Sequence, residues 1–164
     1  MPTRDDIGLA TCKRLLGVES GIPGVRVSAP ATVQAQAAVM QLLVDAGIEA
    51  AKLLKLKKAK TVKFDVIAAI FADNKCLGIR GSDLASAPRK GKGQRGLPLR
   101  AVERVFREQL PQGSRLSEEA GKALVGAAEA YLHNLGKNAG LMALAAKRNT
   151  LQGADVLAAR KIRM

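Results

Sequence analysis

The chain has 164 residues, 48% of them apolar and 2% aromatic, with a formal charge of +13 and a pI near 10.3. That length carries one or two small domains with a buried core, and a composition led by Ala and Leu favours helices over sheets. The charge points to a polyanion, and to nucleic acid over a membrane face, because Trp is absent and the three Phe (Phe64, Phe71, Phe106) are scattered.

Residues 1–6 form a polar leader without the features of a signal peptide. Ile7 to Leu16 reads as a short helix, with Lys13 and Arg14 opposite its apolar residues, and Gly17 ends it. A loop to Val27 follows, broken by Gly21, Pro23 and Gly24. Ser28 caps a long helix and Pro30 fits its first turn, where a missing N–H costs little. This helix runs to about Leu56, roughly 40 Å at 1.5 Å per residue. Its apolar positions Val33, Ala37, Met40, Leu43, Val44, Ala46, Ile48, Ala51 and Leu54 cover more than an ordinary surface stripe, which calls for partners on two sides. Lys55, Lys57, Lys58, Lys60 and Thr61 form a basic loop, and Lys63 to Ala72 a short helix.

Residues 73–96 read as a linker. Gly91, Gly93 and Gly96 spell GxGxxG, but no strand precedes them and the run Arg89–Arg95 is basic, so a flexible linker is favoured over a dinucleotide site. The layout then repeats. Leu97 to Leu110 is a short helix, Pro111 to Leu116 a loop carrying Arg115, and Ser117 caps a second long helix that runs to about Ala146. Glu118 and Glu119 suit the positive end of its dipole. A basic break at Lys147, Arg148, Asn149 and Thr150 leads to a last short helix from about Gly153. Arg26 and Arg115 are 89 residues apart, and so are Thr61 and Thr150. Equal offsets at two loops are what an internal duplication predicts. Each half holds a long helix too apolar to stand alone, so the halves are expected to pack on each other.

Chemistry-bearing clusters are scarce. His133 is the only histidine, which rules out a His-based triad or multi-His metal site within one chain. Cys12 and Cys76 fit no metal or redox spacing. No apolar run approaches the roughly 18–20 residues of a membrane-spanning helix. No enzyme, metal site or cofactor is expected.

Glu129, Ala130, Tyr131 and Leu132, then Ala146, Lys147, Arg148 and Thr150, then Asp155, Ala159, Arg160, Ile162 and Arg163 fall in the pattern and spacing of eukaryotic histone three. The second half resembles that histone without a gap from Leu97 to Met164. The first half resembles histone four less closely, through Lys13-Arg14-Leu15, Val25-Arg26-Val27-Ser28 and Lys58 to Val62, with Asp65 placed by a one-residue deletion. The long tails of eukaryotic core histones have no counterpart here, nor has the extra helix before the fold in histone three.

The resemblance implies an all-α fold: two tandem histone folds, each a short helix, loop, long helix, loop and short helix, forming an intramolecular handshake dimer. The first fold would span 1–72, the basic linker 73–96 and the second fold 97–164. The whole chain would then be a histone doublet of the kind found in large DNA viruses, with archaeal doublets as the wider family. Its implied function is to bind and wrap double-stranded DNA without sequence specificity, in nucleosome-like particles that compact a genome. The alternative is a histone-fold dimerisation subunit of a transcription or chromatin complex. Charges of +4, +4 and +5 on residues 1–72, 73–96 and 97–164 favour wrapping.

In histone octamers, Arg side chains enter the inward-facing minor groove while helix dipoles and main chain hold phosphates. The resemblance assigns Arg26 and Arg115 to the groove, Thr61 and Thr150 to places beside them, and Lys13, Arg14, Lys58, Lys60, Arg104, Lys147 and Arg148 to phosphates. Lys52, on the long helix, is expected to matter less. Arg148 and Asp155 match a structural clamp of that loop, so Arg148 is either a clamp or a DNA contact. Lys58 and Asp65 are a doubtful equivalent, since Ala59 stands where histone four has Arg and a Lys lacks the bidentate fork. A second copy would join through Leu141, Met142, Ala145, Asp155, Ala158 and Ile162, with Ala145 and Met142 replacing the family's His and Cys. Partners implied are double-stranded DNA, that second copy and a histone two-like doublet, without a membrane. The implied place is chromatin: a virion, host nucleus or viral factory for a viral source, a nucleoid for an archaeal one.

Overall fold

Two long helices, α2 (Ala29–Lys57) and α5 (Glu118–Ala145), form the frame of a computed structural model that describes residues 8–18, 22, 24–72, 84 and 97–161. Around them lie four short helices, α1 (Leu9–Val18), α3 (Phe64–Ala72), α4 (Leu99–Arg107) and α6 (Gly153–Lys161). Four two-residue strands complete the described residues: β1 (Arg26–Val27), β2 (Thr61–Val62), β3 (Arg115–Leu116) and β4 (Thr150–Leu151). The fold is mostly helical. Every short helix touches both long ones, so neither half buries its core without the other.

The strands tie the halves together at two ends. β1 pairs with β4 and β2 with β3, both parallel, so each ladder takes one strand from each half. The 89-residue offset of the sequence recurs in the backbone. Ser28 and Ser117 cap α2 and α5, each accepting from the N–H three residues on at 3.2 Å. Gly24 and Gly113 have positive φ, as do Lys58 (φ 52°) and Lys147 (φ 56°), where the long helices end. The crossings recur too. A Cβ on Gly47 would lie 2.8 Å from the carbonyl oxygen of Phe106, and one on Gly136 would fall on that of Leu16. Each short first helix thus passes over the other half's long helix at a glycine, which alone lets backbone approach backbone.

Four expectations need correction. α1 continues through Gly17 to Val18, because its last turn is held by packing: the Leu16 carbonyl is seated on Gly136. Lys55 and Lys57 belong to α2, where cations suit the negative helix end. The helix expected over 97–110 is shorter: α4 ends at Arg107, and a turn closed by Leu110 N–H to Arg107 O at 3.0 Å follows. The buried face of α2 is also displaced from the expected one. It runs through Ala31, Ala35, Ala38, Val39, Leu42, Leu43, Ala46, Ala50 and Leu54, while Val33, Met40 and Ile48 are exposed. The expected Leu43, Ala46 and Leu54 lie on it, and α2 packs against all five other described helices, with the alanines allowing close approach.

Candidate nucleic-acid interface

The two strand ladders put matching sets of residues at the two ends of the molecule. At one end Arg26 stands opposite Thr150 and Val27 opposite Leu151. The ladder is closed by Arg26 N–H to Asn149 O and Ser28 N–H to Leu151 O, both 3.0 Å. At the other end Arg115 stands opposite Thr61 and Leu116 opposite Val62. There Arg115 N–H donates to Lys60 O at 2.8 Å and Ser117 N–H to Val62 O at 3.0 Å. Val62 and Leu151 are fully buried and anchor the strands, while Arg26 and Arg115 point outward. Period-2 alternation in even a two-residue strand therefore fixes one arginine and one threonine side by side at each end.

The other candidate cations divide among three clefts. Lys13 and Arg14 join Arg26 around a cleft of about 910 Å³ at the β1–β4 end. Lys58 and Lys60 line one of about 580 Å³ at the β2–β3 end. Lys52 and Lys55 line that same cleft, so Lys52 is not the isolated surface charge its place in the sequence implies. The reversal of the chain at Lys58, whose left-handed backbone folds the loop back along α2, brings them together. Arg104 lies with Arg100 and Arg107 around a third cleft, on α4, which neither ladder residue lines. Lys147 is exposed at the end of α5, beside β4.

Arg148 is turned inward. Its guanidinium forks onto Asp155, Nη1 to Oδ2 at 2.8 Å and Nη2 to Oδ1 at 2.9 Å, and Nη1 also donates to Thr150 O at 3.2 Å. Asp155 accepts a further bond from Gln152 N–H at 2.9 Å, and its side chain is 6% exposed. The hydrogen bonds from Arg148 hold the Asp155 carboxyl below its usual range, with burial opposing, and the same bonds raise the guanidinium's pKa. In the first half it is Lys57, not Lys58, that reaches Asp65, through one exposed contact of 3.4 Å.

An apolar patch lies where α5 ends against α6. Leu141 is 60% exposed and Ala145 is exposed, while Met142 and Ala158 are half-buried. Leu144 and Leu157, which lie outside the positions named by the resemblance to histone three, extend the patch. Asp155 sits beneath it with both oxygens engaged by Arg148, and Ile162 falls outside the described residues. The linker glycines Gly91, Gly93 and Gly96 and Cys76 also fall outside them. Cys12 is fully buried, which pushes its thiol up to about 11 and leaves it protonated and inert. Among the described residues there is no group of three or more His, Cys, Asp or Glu placed to hold a metal. Nor is any helix there long and apolar enough to cross a membrane.

Residues 92–162 match the family model of the core histone domain, the one covering histones two A, two B, three and four. No curated protein matches the chain by sequence. Solved structures do match by shape, among them the crystal structure of the histone from Methanopyrus kandleri. That match has a TM-score of 0.72 at 22% identity, over 94% of this chain and 93% of that one. The second half is therefore similar to a core histone domain, and the chain shares the fold of that archaeal histone.

Proposed function

We propose that this chain is a histone doublet that binds and wraps double-stranded DNA without sequence specificity, in nucleosome-like particles that compact a genome. Residues 1–72 and 97–164 act as two histone folds joined by a basic linker, and they close on each other as a handshake dimer. What supports this reading above all is the pair of strand ladders. Each sets an exposed arginine beside a threonine, Arg26 with Thr150 and Arg115 with Thr61, on an identical backbone at the two ends. One curved duplex meeting both ends would find an arginine beside a threonine at each.

Arg26 and Arg115 enter the minor groove, where a flat and weakly hydrated guanidinium suits a narrow, negative space better than an ammonium. Thr61 and Thr150 orient them. Lys13, Arg14, Lys58, Lys60, Arg104 and Lys147 hold phosphates, with the amides at the start of α2, whose first turn carries no acid. Arg148, engaged by Asp155, stiffens its loop and is not a principal DNA contact. One handshake dimer is too small to wrap a full turn of DNA, so two chains meet on it through Leu141, Met142, Leu144, Ala145, Leu157, Ala158 and Ile162. Apolar burial at about 25 cal/mol per Å² drives that contact, and association costs of several kcal/mol keep it weak without DNA. A histone two-like doublet completes the particle, in chromatin of viral or archaeal origin.

Nuclease digestion of reconstituted complexes tests the reading. Wrapping gives a discrete ladder of protected fragments, and a smear would reduce the protein to a simple polycation. The exposed Val33, Met40 and Ile48 on α2 favour a second reading, a dimerisation subunit of a larger chromatin complex. That reading predicts weak DNA affinity with a shallow dependence on salt, whereas wrapping predicts a loss of orders of magnitude between about 50 and 200 mM.

A further inference from the structure

We propose that Lys52 and Lys55 form, with Lys58 and Lys60, a site for the DNA phosphate backbone at the β2–β3 end that the opposite end of the molecule lacks. This rests on the DNA-binding reading above. The four lysines line one cleft of about 580 Å³, whose far wall is the segment Pro111–Ser114 leading into Arg115. Two backbone features build it. Ala59 N–H donates to Leu54 O at 3.0 Å as Lys58 turns left-handed, which returns the loop along the helix end. Gly113, at φ +85°, bends the opposite wall away.

The positions 89 residues further on are Leu141, Leu144, Lys147 and Asn149, so the matching place at the other end carries one cation instead of four. A helix-dipole role does not account for the lysines. The last turn of α2 carries Lys55 and Lys57, yet its counterpart in α5 carries no basic residue and ends equally well. The bond of Lys52 to Glu49, 3.3 Å between exposed groups, does not hold it from a phosphate either. Charge supplies the reason for the excess. Glu118 and Glu119 stand at the start of α5, three and four residues past Arg115, where the other end has Ala29 and Pro30. Glu118, paired with Lys122 at 3.2 Å, and Glu119 add negative charge beside a groove-entering arginine, and Lys52 and Lys55 restore the positive charge of that end.

The test is the salt dependence of binding of the full chain to a duplex. Each phosphate neutralised contributes about 0.9 to the slope of log affinity against log salt on B-DNA. The double variant Lys52→Gln/Lys55→Gln is expected to lower the slope by about 1.8. The equally discharged Lys137→Gln/Lys161→Gln, two exposed lysines that do not line this cleft, is expected to leave the slope near the parent value. An unchanged slope in the first variant, or equal losses in both, overturns the proposal and leaves the cleft to an acidic protein partner or to none. A parent with no salt-dependent binding would instead remove the DNA reading, and this site with it.

Discussion

The loops that follow the two long helices share a backbone and differ in how it is held. Both turn at a left-handed lysine, Lys58 or Lys147, and both enter a two-residue strand with a fully buried second side chain, Val62 or Leu151. After α5 the turn is bound by the Arg148–Asp155 fork, with Asp155 also capping α6 through Gln152 N–H. After α2, Ala59 occupies the arginine's place, and Lys57 makes a single 3.4 Å contact to Asp65 with side chains 49% and 67% exposed. Equal geometry under such unequal bonding shows what specifies the loop. The buried strand residue and the ladder to the partner half set its path, and the fork stiffens a conformation already chosen.

The largest loss of stability is expected at a helix crossing. On propensity alone, Gly→Ala in a helix interior is favourable by about 1 kcal/mol. Here Gly136→Ala is expected to destabilise by about 3 kcal/mol, because the new methyl falls on the Leu16 backbone, which cannot yield without shifting α1. Gly47→Ala is expected to cost less, about 2 kcal/mol, because its methyl would meet the Phe106 carbonyl at 2.8 Å and the Gln109 Cβ at 2.7 Å, a less severe overlap than at Gly136. Denaturant melts of the two variants decide this. Equal losses would mean that the closeness of the carbonyl does not set the cost.

The fork comes next. Asp155→Ala removes hydrogen bonds to a charged partner and a helix cap, and is expected to cost about 2 kcal/mol. Asp65→Ala, which loses one exposed pair, is expected to cost below about 0.5 kcal/mol. Because Asp155 titrates lower in the fold than its ordinary unfolded value of about 3.9, its contribution is complete above that pH and is lost as the pH falls through the lower folded value. Thermal melts should therefore show the parent and Asp155→Ala converging in acid. A gap that persists there would assign the loss to packing.

The two ends should also differ in how they hold DNA. A hydrogen bond to a charged group is worth roughly 1.5–3 kcal/mol, so Arg26→Ala should weaken DNA binding roughly ten- to hundredfold. Arg115→Ala should weaken it less, because four lysines remain in the cleft beside it. Lys137→Ala, on the exposed side of α5, is the control. Equal losses in all three variants would leave only a general charge effect, measured by titration at fixed salt with stability checked in parallel.

Much of this is legible in the sequence. Ser28 and Ser117 announce the helix starts, and the fixed offset of arginines and threonines recurs in the two strand ladders. The buried face of α2 is not legible, because Ala31, Ala35, Ala38, Ala46 and Ala50 produce little hydropathic contrast while exposed Val33, Met40 and Ile48 produce more. Gly47 and Gly136 read as weak points in helices until the crossing carbonyls appear. Lys52 and Lys55 read as ordinary helix charges, since their convergence with Lys58 and Lys60 depends on a left-handed turn at a lysine, which no residue preference announces.

Closure of the two halves of one chain on each other fixes the mass in solution of Met142→Asp, which places a charge in the apolar patch proposed to join two copies. Sedimentation equilibrium should give a single-chain mass of 17.3 kDa with helical content equal to the parent's. A folded two-chain particle that survives this substitution would contradict the account, because the halves would then be pairing between chains.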